Sequence, residues 1–505
     1  MTRVLELDHI TKRFGPLVAN DDISLHLDQG EILSLLGENG AGKTTLMNIL
    51  FGHYTADAGV VRVGGHPLPP GTPRAAIAAG VGMVHQHFTL AGNMTVLDNI
   101  LIGSERLLRF GSDRSGASRR IAALSAQFGL PVDPHARIAD LSVGERQRVE
   151  ILKALYRQAR ILILDEPTAV LARPEAEHLF DTLRGMTLGG LSIIFISHKL
   201  HEVMGASDRV VVLRGGRVVA ERRTASTTAP ELAELMVGRQ VTRPRRVGAV
   251  TGTPVLTAID LSVSAGGQPV LDGVSLTVQS GEILGIVGVS GNGQAALGQV
   301  LSGRLRPTGG TLTLSGRDMT GLSPRQLIAA GVARIPEDRH AEGSIGALAL
   351  WENAVLERLR DPQFSRLGFV RRRSARRHAA DLIEKFDIRG ADPDTRTGAL
   401  SGGNMQKLIL GRNLAANPRF ILANQPTRGL DEGAIAAVHG ELLAARARGA
   451  AILLISEDLE EAVSLSDRIC AIVKGRLSAP VPAAAADART LGLMMAGVWE
   501  VANAP

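Results

Sequence analysis

Gly37-Glu38-Asn39-Gly40-Ala41-Gly42-Lys43-Thr44-Thr45 lies between two apolar runs, residues 32–36 before it and residues 46–50 after it. A buried strand, a glycine-rich turn and an apolar helix in that order form a phosphate-binding loop. The glycines let backbone N–H groups curl around phosphate oxygens, and the following helix adds the positive end of its dipole. Lys43 would then reach the β- and γ-phosphates of a nucleotide, and the Thr44 hydroxyl would ligate Mg2+. Glu38, Asn39, Ala41 and Thr45 complete the stretch that would wrap the phosphates. A glycine turn that merely caps a helix is the plain alternative.

Outward from this loop, the chain is written twice. Glu31-Ile32-Leu33-Ser34-Leu35-Leu36-Gly37 recurs 251 residues later as Glu282-Ile283-Leu284-Gly285-Ile286-Val287-Gly288. Farther on the offset is 259, carrying Leu141-Ser142 onto Leu400-Ser401 and Pro167-Thr168 onto Pro426-Thr427. The second copy therefore holds eight extra residues between the positions of Gln86 and Leu141. Pro, Gly and Arg residues break periodicity between the copies, which divides the chain into residues 1–240, a linker at 241–254, and residues 255–500. Short apolar runs such as residues 161–164 and 193–196 read as buried parallel strands separated by helices, an α/β fold. Residues 210–213 and 217–220, joined through Gly215 and Gly216, read as a hairpin. The Ala/Pro-rich stretch 479–488 reads as a low-complexity surface excursion.

Ile161-Leu162-Ile163-Leu164-Asp165-Glu166 is an apolar strand ending in two acids. Behind a phosphate loop, Asp165 suits the Mg2+ shell and Glu166 suits the base that orients and deprotonates an attacking water. Gln86 is a candidate sensor of the metal and the γ-phosphate, with an ordinary polar loop residue as its alternative. His198 ends another strand, Ile194-Phe195-Ile196-Ser197, where it would hydrogen-bond the γ-phosphate. Phe14 would stack on a base or, equally, fill the core.

Composition narrows the class. Of the 505 residues 45% are hydrophobic and 21% charged, with net charge +6, an ordinary balance for a globular protein. The single Cys470, in an apolar strand context, allows no internal disulfide and no cysteine-based metal site. The start of the chain carries Arg3, Glu6 and Asp8 and does not read as a signal peptide. Residues 75–97 are uncharged, but His85, Gln86, His87 and Asn93 would be expensive in hydrocarbon, so no membrane crossing is expected.

Leu141-Ser142-Val143-Gly144-Glu145 and Leu400-Ser401-Gly402-Gly403-Asn404 resemble the ABC signature, and each precedes its strand of residues 161–165 or 420–424 by about a helix length. With these motifs, residues 3–498 resemble the tandem ATPase subunits of carbohydrate and nucleoside ABC importers. The resemblance implies two P-loop NTPase domains, each with a RecA-like α/β core, an antiparallel β subdomain and a helical subdomain. It implies ATP and Mg2+ as cofactors, and two domains standing head to tail. Each nucleotide would then lie between one copy's phosphate loop and the other's signature, with Leu400, Ser401, Gly402, Gly403, Asn404 and Asp431 completing the first site.

The second copy has exchanged the chemical groups: Gln294 stands for Lys43, Ala295 for Thr44, Asn424 for Asp165 and Gln425 for Glu166. Likewise Glu337 stands for Gln86, Glu457 for His198 and Ala265 for Phe14. The altered signature and Ala172, the counterpart of Asp431, fall in the first copy. One composite site would thus keep all its parts and the other would lose parts from both sides.

Val84-His85-Gln86-His87-Phe88, Gly291-Asn292-Gly293-Gln294 and residues 424–431 look like the purine-nucleoside branch, linked to basic membrane lipoproteins. A monosaccharide importer of the ribose or galactose type is the alternative, and a translational ABC ATPase the next. The resemblance implies two transmembrane permease subunits, an extracytoplasmic substrate-binding lipoprotein, no nucleic acid, and a peripheral place on the cytoplasmic face of the plasma membrane. Residues 87–140 and 338–399 would carry the permease contact.

Overall fold

The computed structural model describes residues 2–85, 88–104, 113–168, 173–197, 199–238, 244, 246, 248 and 252–499. Two compact units divide the chain, Met1–Val241 and Thr242–Pro505.

In the first unit the apolar runs form one six-stranded sheet. Its order is Arg217–Arg223, Arg209–Arg214, Ile32–Leu36, Ser192–Ser197, Ile161–Asp165 and Val81–Val84. All neighbours run parallel except the outer pair, a hairpin turned by Gly215 at φ 56° and Gly216 at φ 79°. Two consecutive positive φ values suit a hairpin turn that matches strand twist, and glycine adopts them without strain.

Both faces of this sheet are covered, which is why its strands are apolar without alternation. Leu33 and Leu35 pack with Leu46 and Met47 on one side. Ile32 and Leu36 point to the other, with Val149, Ile151 and Leu152 of the helix Val143–Tyr156. Leu46 is fully buried; truncating it to alanine would cost about 2–5 kcal/mol. A four-stranded antiparallel sheet, ordered Leu17–Asp28, Arg3–Phe14, Ala58–Val63 and His66–Pro67, caps the phosphate-loop side. Helices Val96–Leu101, Arg114–Phe128 and Val143–Tyr156 form a helical layer that shares one core with the Ile32 and Leu36 face of the six-stranded sheet.

The second unit repeats the plan. Its main sheet runs Val332–Ile335, Phe420–Asn424, Ala451–Ile455, Ile283–Val287, Arg468–Val473 and Arg476–Leu477, and its antiparallel sheet begins with Gln268–Gln279 and Pro254–Ala265. An ion pair is repeated too: Arg209 Nε lies 2.6 Å from Glu31 Oε1, and Arg468 Nε 2.6 Å from Glu282 Oε1. Each pair ties the strand leading into the phosphate loop to its neighbour. The bridges Thr95↔Arg137 and Ala349↔Arg396 locate the extra residues: three of the eight precede Ala349 and five follow it.

One expectation is corrected. Stretch 479–488 does lie at the surface, with Ala479, Pro480, Pro482, Ala484, Ala485 and Asp487 exposed, but it is no mere excursion: Val481–Pro482 pairs with Arg468–Val473, while Ala483 and Ala486 are buried. They share one buried cluster with Ala462, Ile469 and Leu491. Cys470 is buried in the strand Arg468–Val473, as its apolar setting predicts.

Candidate active site

Loop and helix are built locally. Gly42 caps the helix Lys43–Phe51 at φ 99°, and a Cβ there would meet Ala19 O at 2.3 Å and Asn20 Nδ2 at 2.6 Å. Only glycine fits, in conformation and in space. Asn20 Nδ2 donates to Gly42 O at 3.0 Å, holding the turn from behind. Gly37 is equally confined, its missing Cβ falling 2.4 Å from Leu213 O. Lys43 folds back over the loop: its buried ammonium donates to Gly37 O at 2.6 Å and Glu38 O at 2.9 Å. Thr44 is exposed and Thr45 half-buried at the same helix start.

Asp165 ends a fully buried strand beside Ile196. Burial pushes its carboxyl up to about 6, the neighbouring Glu166 charge adds to this, and Lys43 opposes it. Glu166 adopts φ 46°, and its N–H donates to Ile196 O at 3.1 Å. That left-handed backbone is uncommon for a residue with a Cβ and turns the chain sharply off the strand end. Gln425 repeats it at φ 48°, donating to Ile455 O at 2.8 Å. The fold thus keeps the turn in the second unit, where the acid is gone.

These donors fit Mg2+: an exposed hydroxyl at a helix start, and a buried carboxyl whose raised pKa a divalent cation would relieve. Gln86 and His198 lie outside the described residues, as does Ala172.

Phe14 is not core. It stands 43% exposed at the tip of the hairpin formed by Arg3–Phe14 and Leu17–Asp28. Tyr54 meets it edge-on at 5.6 Å, and Lys12 Nζ lies 5.5 Å from its ring centroid. Asp57 anchors the tip through Lys12 Nζ at 2.9 Å and the Arg13 N–H at 2.6 Å. An exposed ring held this way is suited to stacking. Tyr54 escaped sequence reasoning; the replacement of its counterpart by Leu305 alongside Ala265 was the available signal.

Glu202 also escaped it. This buried carboxylate accepts from Thr168 Oγ1 at 2.6 Å and Ser197 Oγ at 2.9 Å, and pairs with Lys199 Nζ at 3.1 Å. It joins the segment after Glu166 to the residues on either side of His198. Glu461 does the same in the second unit with Thr427 and Ser456.

In the second unit Ser401 caps the helix Gly402–Leu414, accepting from the Asn404 N–H at 3.4 Å. Leu400 is buried beneath it. Asp431 caps the helix Glu432–Ala447 through the Ala434 N–H at 2.9 Å, and a Cβ on Gly403 would touch Ala434 at 3.2 Å. Ser401, Gly402, Gly403 and Asp431 are therefore brought together within this unit. The Asn404 side chain instead holds the Arg389 backbone, accepting from its N–H and donating to its O, each at 3.1 Å.

The second loop is bridged by side chains of its own and of neighbouring segments. Gln294 Nε2 donates to Val289 O at 2.9 Å, the place where Lys43 meets Glu38 O. Ser290 Oγ donates to Glu457, and Arg428 pairs with Glu337. The lysine, the threonine and both acids of the first copy are replaced here by Gln294, Ala295, Asn424 and Gln425.

A family model described as ABC transporter matches residues 20–169 and again 271–428. The chain is 44% identical over 500 residues to the guanosine import ATP-binding protein NupO of Bacillus subtilis, covering 98% of each. It is 43% identical over 531 residues to the glucose import ATP-binding protein TsgD13 of Haloferax volcanii, covering 98% of this chain and 96% of that one. A solved structure titled RNase-L Inhibitor superposes with a TM-score of 0.63 over 97% of this chain and 93% of its own, at 19% identity, a likeness of fold alone.

Proposed function

Because this chain belongs to the ABC transporter family and carries two copies of its ATP-binding domain, we propose that it powers a nucleoside importer from one working site. The protein is an ATPase subunit of an ABC importer. The observation that carries the single-site reading is the sorting of chemical groups. Lys43, Thr44, Asp165 and Glu166 stand together in the first unit, and Gln294, Ala295, Asn424 and Gln425 replace them all in the second. Random decay would not remove all four of these groups from one copy and none of them from the other.

Lys43 neutralises the β/γ-phosphate charge, and Glu166 orients a water and takes its proton as the γ-phosphate bond breaks. Thr44, Gln86 and Asp165 would hold Mg2+, which withdraws charge from the phosphate oxygens. His198 donates to the γ-phosphate. Ser401, Gly402, Gly403 and Asp431 act on the same nucleotide from the second domain, a helix N-terminus favouring the anion. ATP binding draws the two domains together and hydrolysis releases them. Two permease subunits and an extracytoplasmic binding lipoprotein complete the machine, which holds this chain at the cytoplasmic face of the membrane.

Nucleoside cargo is supported by the sequence details of residues 84–88 in the first copy and by the guanosine-import relative. The glucose-import relative favours a sugar as the second reading. Lys43→Ala or Glu166→Gln should reduce transport-coupled ATPase at least a hundredfold; near-normal turnover in either refutes the site. Uptake of labelled guanosine against labelled ribose by the assembled transporter decides the cargo.

A further inference from the structure

The eight residues added to the second copy do not all serve the helical layer. Three of them fall before Ala349, in the neighbourhood of a single π-helical turn, Arg339–Gly343. This turn is pinned at several points. The Asp338 carboxylate accepts from the His340 and Ala341 N–H groups, each at 2.9 Å. Glu342 pairs with Arg304 at 2.5 Å and Arg334 at 3.1 Å, and Gly343 O accepts from the buried Arg412 at 3.0 Å. Ser344 Oγ donates back to Arg339 O at 3.1 Å. Such a turn aims one side chain firmly.

That side chain is Arg339. Its guanidinium donates to Arg428 O at 2.8 Å and to Gly429 O at 3.4 Å, on the approach to Asp431. The same group lies against the first residue of the signature helix: a Cβ on Gly402 would stand 3.2 Å from Nη2 and 3.3 Å from Cζ. Glu337, two residues earlier, pairs with Arg428 itself. One short segment therefore grips both the signature turn and the segment leading to Asp431. The copies differ accordingly. Where the second has Gly402 beneath a guanidinium, the first has Val143, and no arginine occurs between Val84 and Ile102. In the first copy the residue matched to Glu337 is Gln86, which the catalytic reading uses as a sensor.

We propose that Arg339 is a positioning residue for hydrolysis, holding the signature turn Ser401–Gly403 (residues 401–403) and the Asp431 segment in the mutual arrangement that completes the first domain's site. The segment that would sense γ-phosphate in an active copy has become a strut in the inactive one. A planar guanidinium suits this work because two nitrogens of one rigid plane donate to Arg428 O and Gly429 O while the same group lies close against Gly402. Lysine offers a point charge that reaches one carbonyl at a time. This inference rests on the proposed pairing of the first phosphate loop with the second signature.

The test uses the full chain assembled with its permease, measuring ATP turnover and, in a Glu166→Gln background, affinity for a fluorescent ATP analogue. Arg339→Ala should lower kcat about tenfold or more while the analogue Kd stays within twofold, because Lys43 and the first phosphate loop are untouched. Arg339→Lys should recover part of that loss. A purely architectural role would instead expose the second unit to protease and reduce binding and turnover together, and that result overturns the proposal. Turnover within twofold of wild type in both variants also overturns it. If the alanine variant fails to fold, the lysine variant decides alone: a kcat drop of threefold or more at unchanged Kd supports the strut, and wild-type kcat sinks it. Ser401→Ala run in parallel separates the premises. Should Ser401→Ala leave turnover intact, the pairing itself falls; should it cripple turnover while both Arg339 variants work normally, only the strut falls.

Discussion

Asp165→Asn should make the ligand-free protein more stable while abolishing its chemistry. The carboxyl is pushed up to about 6 by burial and by Glu166, against an ordinary value of 3.8. A displacement of roughly two units at about 1.4 kcal/mol per unit corresponds to about 3 kcal/mol. The sign follows from which state holds the proton. Below about pH 4 the group is protonated in folded and unfolded chains alike, and no penalty exists. As pH rises towards 6 the unfolded chain ionises first, and above 6 the full penalty weighs on the folded state. Asparagine removes the charge at little change in shape, and Asn424 already occupies the matching strand end in the second unit. At pH 7.5 the variant should therefore gain on the order of 1–3 kcal/mol, about 2–4 °C per kcal/mol for a unit of this size.

Thermal unfolding of the apo protein, followed at pH 7.5 and pH 4.5, reads this directly, and the gain should shrink at the lower pH. Adding Mg2+ with a slowly hydrolysed ATP analogue should reverse the order, since wild type alone recovers stability by binding the metal through a carboxylate. A variant no more stable than wild type at pH 7.5, or a gain independent of pH, would refute the reasoning.

Two further outcomes are expected. Ser142 sits in a full capping box, with Glu145 Oε2 accepting from its N–H at 2.9 Å, whereas Ser401 has a single capping bond. Ser142→Ala should thus cost about 1 kcal/mol of stability and little turnover, and Ser401→Ala the reverse; equal ATPase losses would sink the pairing of domains. Burial pushes the Cys470 thiol up to about 12, so iodoacetamide at pH 8 should label it only after denaturation, and rapid labelling of the native chain would contradict its packing. Because the unfolded thiol ionises near 9, this group also makes stability fall as pH rises from about 9 towards 12.

The phosphate loop was legible because its chemistry is local. Gly37 to Thr45 are consecutive, and the φ of 99° at Gly42 is a property that glycine alone supplies cheaply. Repetition was legible for a similar reason, since the order of short motifs survives in the chain whatever the packing. The sheet strands announced themselves by continuous apolar runs, which follow from burial on both faces. What lay beyond reach were meetings between distant residues. Whether Phe14 was core or platform depended on Tyr54, forty positions on, and on the hairpin that carries Phe14 into solvent beside it. How stretch 479–488 is anchored was illegible because alanine is uninformative until its neighbours are known; Ala483 and Ala486 prove to be buried with Ala462, Ile469 and Leu491. Glu202 joins two strand ends, and Arg339 reaches carbonyls some ninety residues later. By itself the sequence determined which copy carries Lys43, Thr44, Asp165 and Glu166, because these are side-chain identities at fixed spacings. Only the tertiary structure decided the buried state of Asp165 and the company kept by Arg339. Dielectric surroundings and hydrogen-bond partners come from segments far apart in the chain, and no local pattern encodes them.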